Sequence, residues 1–166
     1  MVSKSKKLGK SPLILVSVGS TSFPFARLSN YFIDKKTGEF RVSDGFGSPN
    51  RLIESIRSAD KIIIHGGPAT LFLVVKYSKH MPLVIPRQKK YKEHVDDHQL
   101  FFVEYLKERL PANLKRYFVT EEKIDKIIDD YLSEKNKANN LRRFLFLHKK
   151  NFLGDKLSEY LSFSFP

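Results

Sequence analysis

Two short, uninterrupted apolar runs place the strongest constraint on how this chain can fold. Residues 13–18 are LILVSV and residues 61–64 are KIII, and a glycine follows each run within two positions. A strand whose apolar residues do not alternate with polar ones is buried on both faces, which is typical of a parallel sheet covered by helices. A third run of this kind, PLVIP, occupies residues 82–86. The pattern therefore favours an α/β fold.

Helical patterns separate these strands and support the same interpretation. We predict helices over 24–36, 51–58, 69–78, 94–109 and 120–133, and a weaker strand over 39–42. Strands that alternate with helices predict a parallel sheet with helices on both faces. Ligands of such sheets bind outside the carboxyl ends of the strands. Functional residues are therefore expected in the loops that follow the strands.

Length, charge and cysteine content exclude several classes of protein. A chain of 166 residues predicts one domain, and the absence of cysteine excludes a disulfide scaffold and a cysteine zinc site. No apolar run reaches the ~18–20 residues that span a bilayer. The 30 Lys and Arg against 18 Asp and Glu give a net charge of +12. This charge indicates an anionic partner, whether nucleic acid, an acidic membrane or a phosphate-bearing ligand.

Two of the loops after strands carry residue types that bind phosphate. The HGG sequence at 65–67 joins a strand to a helix N-terminus, where exposed amides and the helix dipole favour an anion. Thr70 offers a hydroxyl group to the same place. The GST sequence at 19–21 forms a similar turn before another helix. A tight strand-to-helix turn with a capping threonine would contain the same residues, so the spacing leaves both interpretations open.

The segment 93–99, EHVDDHQ, is the densest polar cluster of the chain. Within the predicted helix, His94, Asp97 and His98 would lie within one turn and share a face. Three interpretations stay open: a metal site, a solvated helix start with acids near its dipole, or an edge that binds sugar hydroxyls. The preceding basic stretch, 87–92, is either a solvated loop or a partner for phosphate groups.

Three segments together resemble a known family. ADKIIIHGGPAT at 59–70 and PLVIPRQKKYKEHVDDHQ at 82–99 resemble the C-terminal domain of glycosyltransferase family 28. ILVSVGSTSFPFARL at 14–28 resembles the family's opening strand and loop. The similarity is greatest to the small subunits of bacterial capsule and exopolysaccharide transferases. These are relatives of the catalytic subunit of the eukaryotic UDP-GlcNAc transferase that acts on dolichol-linked sugars.

The resemblance implies a fold and an activity. Such chains form one Rossmann-like half of a GT-B glycosyltransferase, and this half binds the UDP-sugar donor. A membrane-anchored partner chain supplies the half that binds the acceptor. The implied reaction is the inverting transfer of a hexose to a lipid-linked saccharide, with the diphosphate held without a metal and no cofactor required. The chain would then be cytoplasmic and peripherally associated with the membrane through its partner.

The resemblance also implies roles for individual residues. Asp97, His98 and Gln99 would face the sugar hydroxyls, and His65 and His94 are the candidate catalytic residues. Arg87 and Glu93 belong to the motif without a defined role. The residues implied to contact the donor diphosphate are Gly19, Ser20, Thr21, His65, Gly66, Gly67 and Thr70.

Two departures from the family pattern support an alternative function. Related transferases often place a ribose-binding glutamate three residues after the threonine, and Leu73 occupies that position here. Only 46 positions separate Gly19 from His65, which is shorter than in the relatives. The alternative is a degenerate, non-catalytic subunit that stabilises or recruits a membrane partner. Nucleic-acid binding is disfavoured because the chain contains no recognisable nucleic-acid motif.

The organisation along the chain follows from these assignments. We expect a basic N-terminal extension over 1–12, the donor-binding domain over 13–133 and a basic helical tail over 134–166. The tail combines lysines and arginines with an apolar centre. Such a segment either lies on an anionic membrane surface or packs against the domain or the partner chain.

Overall fold

A computed structural model describes residues 12–19, 22–34, 39–43, 48–135 and 137–147. Within these residues the chain forms four strands, seven α-helices and one short 3-10 helix at Lys89–Tyr91. The strands are β1 (Leu13–Ser17), β2 (Glu39–Ser43), β3 (Lys61–His65) and β4 (Leu83–Ile85). The helices are α1 (Ala26–Asp34), α2 (Pro49–Ser58), α3 (Pro68–Tyr77), α4 (His98–Arg109), α5 (Ala112–Lys115), α6 (Asp125–Ser133) and α7 (Asn140–Leu147).

The four strands form one parallel sheet in the order β2-β1-β3-β4. Ile14 lies opposite Lys61, and Ile63 lies opposite Leu83. Beyond β4, the sheet continues through a single parallel bridge between Val84 and Phe118. The predicted Rossmann-like α/β fold is confirmed. This strand order brings the carboxyl ends of β1, β3 and β4 side by side.

The apolar runs that predicted the strands form the centre of the core. Ile62, Ile63 and Ile64 of β3 are completely buried. Helices α3 and α4 contribute buried apolar side chains, among them Val74 and Phe102. Burial of each large side chain stabilises the fold by roughly 1.5–3 kcal/mol, which explains why these strands tolerate no polar face.

The opposite, amino edge of the sheet is fixed by α6. The Tyr131 hydroxyl accepts a hydrogen bond from Ile62 N at 3.0 Å and lies 2.8 Å from the Met81 carbonyl. The buried Lys61 ammonium donates to the carbonyls of Tyr131 and Glu134, each at 2.8 Å. A cation at the carboxyl end of a helix satisfies carbonyls that have no helical partner and interacts favourably with the helix dipole. These contacts hold α6 against the starts of β3 and β4.

The described part of the C-terminal tail packs against the domain. Ala138 forms an antiparallel bridge with His80, and Met81 N donates to the Lys137 carbonyl at 3.0 Å. Leu141, in the first turn of α7, is buried in the core. This part of the tail therefore extends the domain, and residues 148–166 lie outside the described part of the chain. Among the described residues, no helix is both long enough and apolar enough to cross a membrane.

Two predicted helix starts were wrong. Helix α4 begins at His98 instead of residue 94, and α6 begins at Asp125 instead of residue 120. Before α4, Lys92 adopts a left-handed conformation with φ of 58°, and Asp97 Oδ1 accepts a hydrogen bond from Lys89 N at 2.8 Å. This closed loop prevents the helix from starting earlier. Before α6, Glu121 is held by Lys107 of α4 at 3.0 Å.

Removing the Tyr131 hydroxyl should destabilise the fold. Tyr131→Phe deprives the Ile62 amide and the Met81 carbonyl of a buried partner, so the free energy of unfolding should fall by about 1–3 kcal/mol. Urea denaturation of both chains measures the difference. Tyr77→Phe is the matched control, because among the described residues the Tyr77 hydroxyl makes no hydrogen bond. An equal effect of the two substitutions would contradict this account of the amino edge.

Candidate functional site

The His65 imidazole lies between two glycines at the carboxyl edge of the sheet. A Cβ atom added to Gly67 would lie 2.4 Å from His65 Nε2, and one added to Gly19 would lie 3.0 Å from the same atom. Gly19 also has a φ of +82°, which other residues rarely adopt. The imidazole ring therefore requires glycine at both positions, and the loops after β1 and β3 meet through this ring.

His65 is an uncharged side chain in the folded protein. It is 7% exposed, and its Nδ1 atom is buried. Burial is the main reason that the pKa of His65 falls to about 4, and the positive charge of Arg87 acts in the same direction. A hydrogen bond with the Ser17 backbone offsets part of this shift. The neutral ring can donate one hydrogen bond and accept another. With this pKa it is a weak general base near neutral pH.

Helix α3 starts directly after this histidine. Gly67 is its N-cap residue, Pro68 is in its first turn, and no side chain caps its amides. Gly66 packs closely against the end of β4, where an added Cβ would lie 3.0 Å from Pro86 Cβ. Thr70 lies in the first turn and is half-buried. The helix start predicted to bind phosphate is therefore present, beside the end of β4.

A buried arginine connects the loop after β1 to the loop after β4. The Arg87 side chain is 1% exposed, and its Nη1 atom donates to the carbonyls of Phe23 at 2.7 Å and Glu93 at 3.0 Å. Its Nη2 atom donates to the Val18 carbonyl. Of the two alternatives for the 87–92 stretch, the solvated loop is wrong for Arg87. Its guanidinium group binds backbone carbonyls on both sides of residues 20–21.

Glu93 forms a second buried contact between these segments. Its carboxylate is completely buried and receives two hydrogen bonds from Arg27 of α1, Nε to Oε1 at 2.9 Å and Nη2 to Oε2 at 2.7 Å. Arg27 also donates to the Pro86 carbonyl at 2.9 Å and stacks on the Tyr91 ring at 4.2 Å. Paired, two-point contacts of this kind are strong and directional. The sequence left the role of Glu93 undefined and did not indicate Arg27, because the two are 66 positions apart.

The three residues expected to face the sugar occupy different environments. Gln99 is buried, and its Oε1 atom accepts a hydrogen bond from Arg87 N at 3.2 Å. Asp97 Oδ1 is bound to Lys89 N, as described above. The His98 side chain is 41% exposed. Gln99 and Asp97 thus hold the loop before α4, and His98 has a partly exposed side chain.

A histidine–aspartate–histidine cluster lies in the same loop. Asp96 Oδ1 is 3.2 Å from His94 Nδ1 and makes a closer contact with His98 Nδ1. The His94 ring packs against the rings of Phe23 and His98. Because α4 starts only at His98, Asp96 joins the histidines instead of the predicted Asp97. Asp97 was preferred because a helix from residue 94 would put it on one face with both histidines, and that helix does not start until His98.

The titratable groups of the site influence one another through their charges. Burial and the charge of His98 lower the pKa of His94, and Arg87 acts in the same direction. Arg87, His94 and His98 also lower the pKa of His65 through their charges. These groups therefore lie within electrostatic range of one another at a single edge of the sheet. Of the residues predicted to contact the donor, Ser20 and Thr21 lie outside the described part of the chain.

The family of the chain follows from a comparison with known proteins. Residues 50–153 match the family described as glycosyltransferase family 28 C-terminal domain. This match spans more than half of the sequence, so the chain belongs to that family, which supports a glycosyltransferase function. Neither the curated proteins nor the solved structures that were compared with the chain match it.

The buried, neutral state of His65 should make stability depend on pH. A histidine with a pKa near 6.5 when unfolded and about 4 when folded binds protons more readily in the unfolded state between these values. The stability that the neutral His65 ring contributes is complete above pH 6.5 and is lost as the pH falls toward 4. At pH 5 this loss should be about 2 kcal/mol relative to pH 7.5.

Urea denaturation isolates the loss of stability caused by His65. It is measured at pH 7.5 and pH 5 for the natural chain and for His65→Asn. Other titrating groups contribute equally to both chains, so the difference between them reports His65 alone. If the two chains lose the same stability on acidification, then His65 does not titrate as its burial requires.

Proposed function

We propose that this chain is the donor-binding half of a two-part glycosyltransferase and that it binds a UDP-sugar at the carboxyl edge of its sheet. One observation carries the proposal. The loops after β1, β3 and β4 are held together there by His65 and Arg87, in a chain of the glycosyltransferase family 28 C-terminal domain family. This is the edge at which parallel α/β sheets bind their ligands.

The diphosphate is assigned to the loops around His65. Helix α3 presents amides that no side chain caps, and the glycines before it allow the backbone to approach a ligand closely. Gly19, Ser20 and Thr21 contact it from the loop after β1, and His65, Gly66, Gly67 and Thr70 contact it from the loop after β3. Negative charge develops on the departing diphosphate during transfer, and preorganised donors of this kind stabilise it. The transfer step therefore requires no metal.

The sugar is assigned to the start of α4. His98 offers a partly exposed side chain there, and Asp97 lies beside it. Gln99, which the sequence was expected to place against the hydroxyl groups, is buried and supports this surface from within. Glu93 and Arg87 act by positioning, since both are buried and bonded within the protein. The proton acceptor for the transfer is His94 or a group of the partner, because the low pKa of His65 makes it a weak base.

The acceptor and the partner complete the proposal. The family domain is one half of the enzyme, so a membrane-anchored chain supplies the acceptor half and presents a lipid-linked saccharide. The reaction is then an inverting hexose transfer at the cytoplasmic face of a membrane, in polysaccharide or glycan biosynthesis. The net charge of +12 would favour association with an anionic membrane surface.

Isothermal titration of the full chain with UDP and a panel of UDP-hexoses tests donor binding. We expect saturable binding that Gly67→Asp abolishes, because the new side chain would clash with the His65 ring and repel phosphate. Thr70→Ala should weaken binding several-fold while leaving the fold intact. Ser133→Asp adds the same charge near the opposite edge of the sheet, where α6 ends, and should leave binding unchanged.

Near-UV circular dichroism of each variant separates loss of binding from loss of folding. A natural chain that binds neither UDP nor any UDP-hexose would overturn the donor-binding proposal. Equal binding by the natural chain and the Gly67→Asp variant would overturn the assigned site.

The second candidate is the non-catalytic subunit that stabilises or recruits a membrane partner. Leu73 favours it, because this side chain packs against the core at the position where related transferases often carry a ribose-binding glutamate. This function predicts that a cell with the Gly67→Asp chain still makes its polysaccharide normally. The donor-binding function predicts that the polysaccharide is lost.

A further inference from the structure

The His94, Asp96 and His98 cluster is a group of metal-ligating side chains that the proposed function does not use as a metal site. One ligand atom from each residue lies within 4.8 Å of the other two. His94 and Asp96 lie in the bends before α4 and His98 is the first residue of that helix, so this turn of the chain brings their ligand atoms together. Small rotations of the side chains would bring all three atoms to one ion.

An ion pair between Asp96 and His98 does not account for the whole cluster. The His94 Nδ1 atom is buried and lies 3.2 Å from Asp96 Oδ1, so the same carboxylate oxygen contacts both histidines. Two ligands that each lie about 2.0–2.1 Å from a tetrahedral ion are roughly 3.3 Å apart. The separation of His94 Nδ1 and Asp96 Oδ1 thus fits two ligands of a common ion, and the closer contact between Asp96 and His98 would lengthen when the ion binds.

The surroundings of His94 hold its ring in place. The ring of Phe23 lies 6.0 Å away, and the His98 ring meets it edge-on with a centroid distance of 4.6 Å. The side chain is only 14% exposed, whereas Asp96 is 57% exposed and leaves the site open to ions from solution. A rigid imidazole beside an accessible carboxylate loses little conformational freedom when it binds a metal.

We propose that His94, Asp96 and His98 bind a divalent transition-metal ion of the Zn²⁺ class. Two imidazoles and one carboxylate suit Zn²⁺ and its first-row neighbours, whereas Ca²⁺ and Mg²⁺ prefer oxygen ligands. Three protein ligands leave a further position for water or for another oxygen ligand. The ion would add positive charge at the edge that contains His65 and Arg87. The proposed transferase function requires no metal and uses His94 and His98 with the cluster empty, so metal binding is tested separately from donor binding.

Metal binding is tested on the untagged, full chain, first freed of metal with a chelator. Titration with ZnCl₂ by calorimetry should show one saturable site. Each of His94→Gln, His98→Gln and Asp96→Asn should weaken binding at least about tenfold, since even partners outside the ligand set often contribute that much. His80→Gln is the matched control, because it removes a histidine outside the cluster, and it should bind like the natural chain.

A second measurement reports the ligands directly. Co²⁺ substituted at the site should give visible absorption bands that change in the His94→Gln and His98→Gln chains and not in His80→Gln. Thermal unfolding without metal shows whether each variant is folded. The proposal fails if the natural chain shows no saturable Zn²⁺ site, or if the folded cluster variants bind Zn²⁺ as the natural chain does. Either result would identify the cluster as an ion pair only.

Discussion

The buried guanidinium group of Arg87 is the interaction on which the rest of the site depends. It lies inside the protein and donates to the carbonyls of Val18, Phe23 and Glu93. The Glu93 contact is buried and the other two are partly buried, and leaving a buried acceptor unpaired costs about 1–3 kcal/mol. Because the carbonyls belong to the loops after β1 and β4, one side chain sets the distance between two of the three loops at the carboxyl edge.

The neighbouring Arg27–Glu93 pair explains how charged groups are accommodated in this interior. A buried charge is costly unless it is paired and hydrogen-bonded, and Glu93 has both its oxygens bound by Arg27. The pair ties α1 to the loop that precedes α4. With Arg87, Arg27 and Glu93 bonded internally, the groups that remain for a ligand among the described residues include the α3 amides and the His94, Asp96 and His98 cluster. The motif residues thus divide into those that build the edge and those that face outward from it.

Features set by neighbours along the chain were predicted correctly, and features set by contacts in the folded loops were not. The strands were predicted to within a residue or two because an uninterrupted apolar run is a local signal. The start of α4 was not predicted correctly, because it depends on the folded loop before it. In that loop Lys92 is left-handed and Lys89 N donates to Asp97. Arg87 stands in a basic stretch that resembled a solvated loop. Its burial follows from carbonyls that lie 64 and 69 positions away, which no local pattern contains.

The sequence by itself determined the parallel sheet, the positions of the glycine loops and the family, because all three depend on residue types at short spacing. Tertiary structure decided why those glycines are needed, since the His65 ring that fills the space between Gly19 and Gly67 brings together segments far apart in the chain. It also decided that Asp96 and not Asp97 joins the two histidines. In each case the physical reason is the same: periodicity is set by neighbours along the chain, whereas the partner of a buried or clustered polar group is set by packing.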